Sequence, residues 1–395
     1  MSNTQDPVVI VSATRTPMGG MLGSLSDVRS PDLGATAIKA AVERAGIQAE
    51  DVDQVIMGCV LPGALGQAPA RQASLAAGLP LGAGCVTINK MCGSGMKAVM
   101  DAHDQILAGS STVMVAGGME NMSQAPYMLP KARSGMRLGH GEVLDSMFFD
   151  GLEDAYEGGL MGTFAQASAD DYSVAREAMD DFAIESLSRA NRAIAEGWFE
   201  AEIAPVTIKS RKGEIQVAVD EQPGNAKPEK IPTLRPAFKK DGTVTAANSS
   251  SISDGGAALV LMRESEAKAR GLQPLARIAG HTTHAQKPAE FTIAPIGSMQ
   301  KLLDKVGWST DDVDLFEINE AFAVVTMLAT QELGLDPAKV NVNGGACALG
   351  HPIGASGARI MVTLIHALKR LGKQRGVASL CIGGGEATAV AIEMI

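Results

Sequence analysis

The chain repeats itself. Gly46-Ile47 followed by Asp51-Val52-Asp53 returns as Gly307-Trp308 followed by Asp312-Val313-Asp314, 261 residues on in both cases (46 to 307, 51 to 312). Ser94-Gly95 returns as Ser356-Gly357 at a spacing of 262 (94 to 356). Several short matches in one order and at nearly one spacing mark a duplicated unit that must fold as two similar halves. In the first half, apolar runs at 8–13, 55–57 and 113–116 predict strands, with helical patterns over 31–45 and 96–107. In the second, 315–318 and 377–382 predict strands, with helices over 321–333 and 355–371. A strand and a glycine cluster follow each central helix, Gly117-Gly118 in one half and Gly383-Gly384-Gly385 in the other. Each half is therefore expected to be an α/β layer structure.

Between the halves, roughly 121–246, Met, Gly, Pro and charged residues dominate around an amphipathic stretch at 176–196, which suggests an inserted subdomain. The expected division is 1–120 plus 247–273 for the first half, 121–246 for the insert and 274–395 for the second half. Within the insert, 209–240 carries eight Lys or Arg against four Asp or Glu, a local +4 on a chain of net charge −10. By itself that is an ordinary solvated surface; beside a site for a phosphate-bearing substrate it would offset global repulsion. The acidic balance argues against a general nucleic-acid binder. No apolar stretch approaches the ~18 residues needed to span a membrane. The run at 8–11 has no basic segment before it and reads as a first strand, so the expected location is cytoplasmic.

Five cysteines at irregular spacing, none in C-x-x-C, indicate neither a zinc framework nor disulfides. Cys92, in Asn89-Lys90-Met91-Cys92-Gly93-Ser94-Gly95, stands where a strand-like run meets a helix. Unpaired N–H groups and the helix dipole there favour thiolate, although a structural thiol is equally compatible with the residues. His351 lies in a glycine-rich run, 343–357, whose spacing mimics a phosphate loop from Gly345 to Gly350. His351-Pro352 occupies the place of Lys-Ser/Thr, so acid/base work suits the run better than nucleotide binding. Cys381 precedes Gly383-Gly384-Gly385, whose free N–H groups could hold an oxyanion. Asn319, before Glu320-Ala321-Phe322-Ala323, is either functional or a helix N-cap. His281-Thr282-Thr283-His284 lacks the Glu and the i, i+4 spacing of a helical zinc motif, so no metal is expected.

N-x-M-C-G-S-G, N-E-A-F-A, G-G-A-x-A-x-G-H-P-I-G-A-S-G and C-x-G-G-G, in this order, resemble the thiolase family from residue 8 to the end. Gly117-Gly118-Met119-Glu120-Asn121-Met122-Ser123 and Ala247-Asn248-Ser249-Ser250 add to the resemblance, and the biosynthetic acetyl-CoA acetyltransferase branch fits best. It implies a duplicated, five-layered αβαβα core with the insert folded over the coenzyme A site. It further implies a reversible Claisen condensation of two acetyl-CoA through an acetyl-cysteine. Cys92 would be the nucleophile, His351 its base, Cys381 the second acid/base and Asn319 the holder of an oxyanion water. The N–H groups of Cys92 and Gly383 would form a second oxyanion site. Ser250 would contact pantetheine, and Met161, Phe322 and Ala321 would lie at the acyl end; the arginine that meets the nucleotide in some members has no counterpart near Gly224-Asn225-Ala226-Lys227, where Lys227 or Lys230 would stand in for it. No cofactor is implied, since coenzyme A thioesters are substrates, and a homotetramer (a dimer of dimers) is expected. Leu160, Phe291 and Glu386 depart from the family pattern, and the first two keep a longer-chain 3-ketoacyl-CoA thiolase in view. A non-catalytic acyl-CoA binder would be expected to lose Cys92, His351 or Cys381, and all three are present.

Overall fold

The computed structural model describes residues 6–210 and 213–395. Its core strands are β1 (Val8–Arg15), β2 (Gln54–Gly58), β3 (Gly84–Ile88), β4 (Val113–Asn121), β5 (Ser253–Arg263), β6 (Ala276–Ala285), β7 (Leu315–Ile318), β8 (Arg375–Ile382) and β9 (Glu386–Met394). The principal helices are α1 (Ser30–Ala45), α2 (Ser94–Ala108), α3 (Met161–Asp171), α4 (Arg176–Ala195), α5 (Ala294–Val306), α6 (Ala323–Glu332) and α7 (Ser356–Leu371).

The repeated residues have repeated jobs. Gly46 and Gly307 both end a helix, α1 and α5, at φ 70°, where a side chain would be strained. Asp51 and Asp312 each accept the N–H three residues back, from Gln48 and Ser309, both at 2.8 Å. Asp53 accepts from Thr112 and Val113 N–H, and Asp314 from Gln374 and Arg375 N–H, fastening the start of the neighbouring strand. The echo in sequence is thus a pair of matching strand-entry clamps.

The halves share one topology. In the first, the order β1-β5-β4-β2-β3 is antiparallel across the first two steps and parallel thereafter. In the second, β6-β9-β8-β7 follows the same rule, and a parallel bridge from Phe316 to Val340 stands where β3 would be. The half-sheets join edge to edge through Val9 opposite Arg277 and Ile10 opposite Ala276, giving one sheet of nine strands in line, to which the short Gly19–Gly20 strand adds a tenth against the start of β5. Strand alternation then serves both faces. Val8 and Ile10 pack inward with Met96 and Val99 of α2 and Ile360 of α7, while Val9 and Val11 pack outward with Ile38 and Val42 of α1. Helix α5 covers the second half-sheet through Met299 and Leu302. The layers therefore run α1, sheet, α2 with α7, sheet, α5, the expected αβαβα order.

At the centre α2 and α7 meet at the repeated Ser-Gly. A Cβ added to Gly95 would lie 2.8 Å from Ala358 N, and one on Gly357 would lie 2.4 Å from Met96 N. The glycines allow the two helix starts to touch, which brings the loops before them together. The other expected equivalence fails. Gly117-Gly118 lies inside β4, where a Cβ on Gly118 would sit 2.0 Å from Gly354 O. Gly384 and Gly385 instead make the turn between β8 and β9 at φ 93° and 85°. One pair admits a neighbouring backbone and the other reverses the chain.

Residues 122–252 leave at the end of β4 and return at β5, and they contain α3 and α4. Arg15, buried at the end of β1, fastens this excursion by ion pairs to Glu202 (2.6 Å) and Asp220 (2.7 Å). Arg211 and Lys212 of the basic 209–240 stretch lie outside the described residues.

Candidate active site

Cys92 stands between β3 and α2. The preceding Met91 has φ 45°, a left-handed turn that turns the chain sharply into the helix. The Ser94 hydroxyl fixes that turn, donating to Met91 O at 2.6 Å and accepting from Lys90 N–H at 2.8 Å. Lys90 is ion-paired with Glu386, the residue after the glycine triplet, so the two loops are tied by side chains as well as by packing. Ile382 presses on Gly93, where an added Cβ would meet its Cδ1 at 2.3 Å.

The Cys92 sulfur is partly buried beside Leu61, Met147 and Ile353. Burial pushes its thiol up to about 11, against the N–H groups of Gly383 and of Cys92 itself, which favour thiolate. Desolvation thus outweighs the N–H groups that favour thiolate, and a base must remove the proton. Those N–H groups are the pair that sequence resemblance assigns to an oxyanion site.

His351 sits in the loop before α7, held by its N–H to Ser251 O at 3.1 Å. Its Nδ1 is 2.6 Å from Ser356 Oγ, and that hydroxyl donates its one proton to Pro352 O at 2.9 Å. The serine oxygen must therefore accept from Nδ1–H, which leaves Nε2 as the bare lone pair. Nε2 has no hydrogen-bond partner among the described residues. Burial, with the charge of Arg359, lowers the histidine to about 3, so the ring is neutral. A neutral imidazole with a fixed tautomer and a free Nε2 is suited to take a proton.

Asn319 follows β7 with its N–H on Ser379 O (3.0 Å), two residues before Cys381. It is not an N-cap: α6 starts at Ala323 after Phe322, two residues later than the sequence pattern suggests. Both polar atoms of its buried amide lack a partner among the described residues. Cys381, at the end of β8, is buried in one apolar group with Ala321, Phe291 and Phe164, against which Met161 and Phe322 pack. Burial, and then the nearby charge of Cys92, push its thiol well above the ordinary range. Met161 also reaches Gly383, with Sδ 3.5 Å from an added Cβ. Ser250 joins through its N–H on Ala321 O at 2.9 Å, next to a bridge between Ser249 and Phe322. Lys227 is exposed, and no hydrogen bond or ion pair engages its ammonium among the described residues.

Two buried carboxyls that the sequence reading did not single out hold these loops. Glu120 accepts from Val60 N–H (2.8 Å), Leu61 N–H (3.2 Å) and Gly354 N–H (2.9 Å), and burial raises it to about 7. Glu320 accepts from Ser186 Oγ (2.7 Å), Asn341 Nδ2 (2.9 Å) and Cys347 N–H (3.1 Å), joining α4 to the histidine loop. Both occur inside quoted motifs, but their partners are distant in sequence and carry no local signal. His281 and His284 lie three apart on β6, on opposite faces, so they do not form a joint site; His284 Nε2 bonds Gln286 at 2.9 Å.

The chain matches the thiolase N-terminal domain over residues 8–265 and the thiolase C-terminal domain over 272–394. It is 52% identical over 389 residues to an acetyl-CoA acetyltransferase of Escherichia coli, covering 98% of this chain and 99% of that one. Identity to the cytosolic acetyl-CoA acetyltransferase of Mus musculus is 48% over 396 residues, covering all of both chains. The crystal structure of the Bacillus anthracis acetyl-CoA acetyltransferase superposes with a TM-score of 0.96 at 46% identity, over 99% of each chain. Two family domains that together span nearly the whole chain, and the same fold at nearly half identity, agree with the paired loops described above: the chain belongs to the thiolase family.

Proposed function

We propose that the protein is an acetyl-CoA C-acetyltransferase that joins two acetyl-CoA into acetoacetyl-CoA and CoA, reversibly, through an acetylated Cys92. The observation that carries the reading is Cys92 with the N–H groups of Gly383 and of itself on its sulfur and Cys381 nearby, packed against the loop that carries a neutral His351 with a free Nε2. His351 Nε2 takes the Cys92 proton, and the sulfur attacks the carbonyl of the first acetyl-CoA. As that C–S bond breaks, the proton passes from His351 to the departing CoA. Asn319, aimed from β7 with an unengaged amide, holds a water at the thioester oxygen. Cys381, in its thiolate form, then takes an α-proton from a second acetyl-CoA, and the resulting carbanion attacks the acetyl carbonyl on Cys92. The oxygen of that adduct is held by the N–H groups of Cys92 and Gly383 until the C–S bond breaks and Cys92 leaves as thiolate, taking the proton from Cys381 so that both thiols return to their starting forms.

A short acyl group fits the packing around Cys381: Phe291 stands 6.4 Å from Phe322 in an edge-to-face pair, and Met161 and Phe164 belong to the same apolar group. Ser250 meets the pantetheine arm, the insert covers the coenzyme, and Lys227 supplies a positive charge for its phosphates. The enzyme works without a cofactor, as a cytoplasmic homotetramer. No helix among the described residues is long and apolar enough to cross a membrane. The exposed apolar residues Tyr127, Leu129, Leu138 and Phe149 support contacts between dimers.

The test is CoA-dependent loss of acetoacetyl-CoA by wild type and Cys92→Ser, with a longer 3-ketoacyl-CoA in parallel. Cleavage of acetoacetyl-CoA that collapses in the variant supports the reading, and faster cleavage of the longer substrate transfers the enzyme to the longer-chain branch. If folded wild type cleaves neither, the protein is an acyl-CoA binder and the catalytic reading is wrong.

A further inference from the structure

The surface where α2 passes β6 holds a second cluster of chemical groups, remote from the thiols. His103 and Asp104 lie in the last part of α2, nine or more residues beyond its start at Ser94. At a rise of ~1.5 Å per residue that is about 14 Å along the helix from the Cys92 loop. His281 comes from β6, in the other half of the molecule. Its Nε2 lies 3.2 Å from His103 Nδ1 and 2.9 Å from Asp104 Oδ1, and His103 Nδ1 is 3.0 Å from the same Oδ1. The imidazoles are mostly buried, with 12% of each side chain exposed, while Asp104 is 56% exposed. The two rings stand at 88° with centroids 5.0 Å apart, so both nitrogens face one point from different directions.

Three donor atoms at such separations have the spacing of a coordination sphere. Zinc–nitrogen and zinc–oxygen bonds of ~2.0–2.2 Å in a tetrahedron put ligand atoms about 3.3 Å apart. The triangle here needs only a few tenths of an ångström of opening. Without a cation the set is held by hydrogen bonds: Asp104 Oδ1 lies within reach of both ring nitrogens, and the two nitrogens, 3.2 Å apart, serve as donor and acceptor to each other when one is protonated and the other bare. A cation would engage all three atoms and leave its fourth position towards solvent on the Asp104 side. Lys305 and Lys97, near the rings, oppose a cation, while Asp104 and Asp101 (which pairs with Lys97) counter them. Two imidazoles and one carboxylate select a first-row divalent ion such as zinc over calcium or magnesium.

We propose that His103, Asp104 and His281 bind a divalent transition-metal ion, zinc in the first instance, that clasps the two halves of the protein together without taking part in the reaction. The clasp links positions 177 and 178 residues apart in sequence, so its effect is on stability. Wild type, His281→Ala, His103→Ala and the milder Asp104→Asn are titrated with zinc chloride alone, first stripped of metal by chelator. Bound zinc is counted after gel filtration, the melting temperature is followed with zinc concentration, and acetoacetyl-CoA thiolysis is measured on each protein. Wild type is expected to hold about one equivalent and to melt higher as zinc rises. The two alanine variants should bind at least ~100-fold more weakly, beyond the 10–100-fold that loss of an outer-shell partner costs. Their melting temperature should no longer respond to zinc, and their thiolysis rate should match that of stripped wild type. Failure of wild type to retain zinc would overturn the proposal. So would equal retention by His281→Ala and His103→Ala, which would place the ion elsewhere, for instance on the thiols.

Discussion

Replacing Ser356 by Ala tests the assignment of His351 as base, because the serine touches the histidine and not the reacting sulfur. Its oxygen accepts from Nδ1–H at 2.6 Å while its own proton serves Pro352 O at 2.9 Å. The substitution leaves Nδ1–H without an acceptor in a site where His351 is 6% exposed. An unsatisfied buried donor costs about 1–3 kcal/mol. The ring escapes that cost by moving its proton to Nε2, which abolishes the lone pair the reaction needs. At about 1.4 kcal/mol per factor of ten, kcat/KM for acetoacetyl-CoA thiolysis should fall roughly 5- to 150-fold. A double-mutant cycle with His351→Asn separates this from general loosening of the loop. In the His351→Asn background, Ser356→Ala should cost almost nothing further in rate, since there is no imidazole left to orient. Full activity in Ser356→Ala, or the same fold-loss in both backgrounds, would refute the tautomer argument.

His351 also predicts a stability profile. Its folded value of about 3 lies below the ordinary 6.5, so its contribution is present above pH 6.5 and is lost as pH falls towards 3. Urea denaturation should show wild type losing ground to His351→Asn through that window, by up to ~1.4 kcal/mol per pH unit, and parallel curves would contradict it. Cys381→Ser should keep exchange of labelled CoA into acetyl-CoA, which needs only Cys92 and His351, while net condensation collapses; loss of exchange too would give Cys381 a part in the first step. Gly357→Ala should destabilise the fold by about 1–3 kcal/mol in urea, because its Cβ would lie 2.4 Å from Met96 N, and an unchanged midpoint would mean that α2 and α7 can separate without cost.

The legible parts of this molecule are those whose cause is local. A glycine that ends a helix, an aspartate that clamps a strand start and a serine that opens a central helix each leave a mark within a few residues, and duplication prints the mark twice. The strands at 315–318 and near 377–382, and the helices at 31–45 and 355–371, follow from that texture. The long excursion before β5 hides the pairing of that strand between β1 and β4, since nothing near residue 253 names partners more than a hundred residues away. The state of Cys92 is illegible for a similar reason. A helix start is visible in sequence and argues for thiolate, whereas Leu61, Met147 and Ile353 arrive from three other segments and argue more strongly for thiol.

Duplication also explains why a site of this kind can be assembled from two weak halves. Each half offers the same device, a loop ahead of a central helix fixed by the first helical serine: Ser94 holds the Cys92 loop and Ser356 holds the His351 loop. Neither loop alone carries both a nucleophile and a base. The close approach of α2 and α7, possible only because Gly95 and Gly357 lack side chains, puts the two devices face to face. Glu120 then spans the seam, taking N–H groups from the 59–61 loop and from Gly354, three residues beyond His351. Its carboxyl would cost the fold dearly if unpaired, so four donors, including the Cys59 thiol, surround it. The burial that makes Glu120 hard to ionise is the same burial that keeps Cys92 a thiol and His351 a free base. Cys92 and His351 therefore both rest in their neutral forms on either side of that seam.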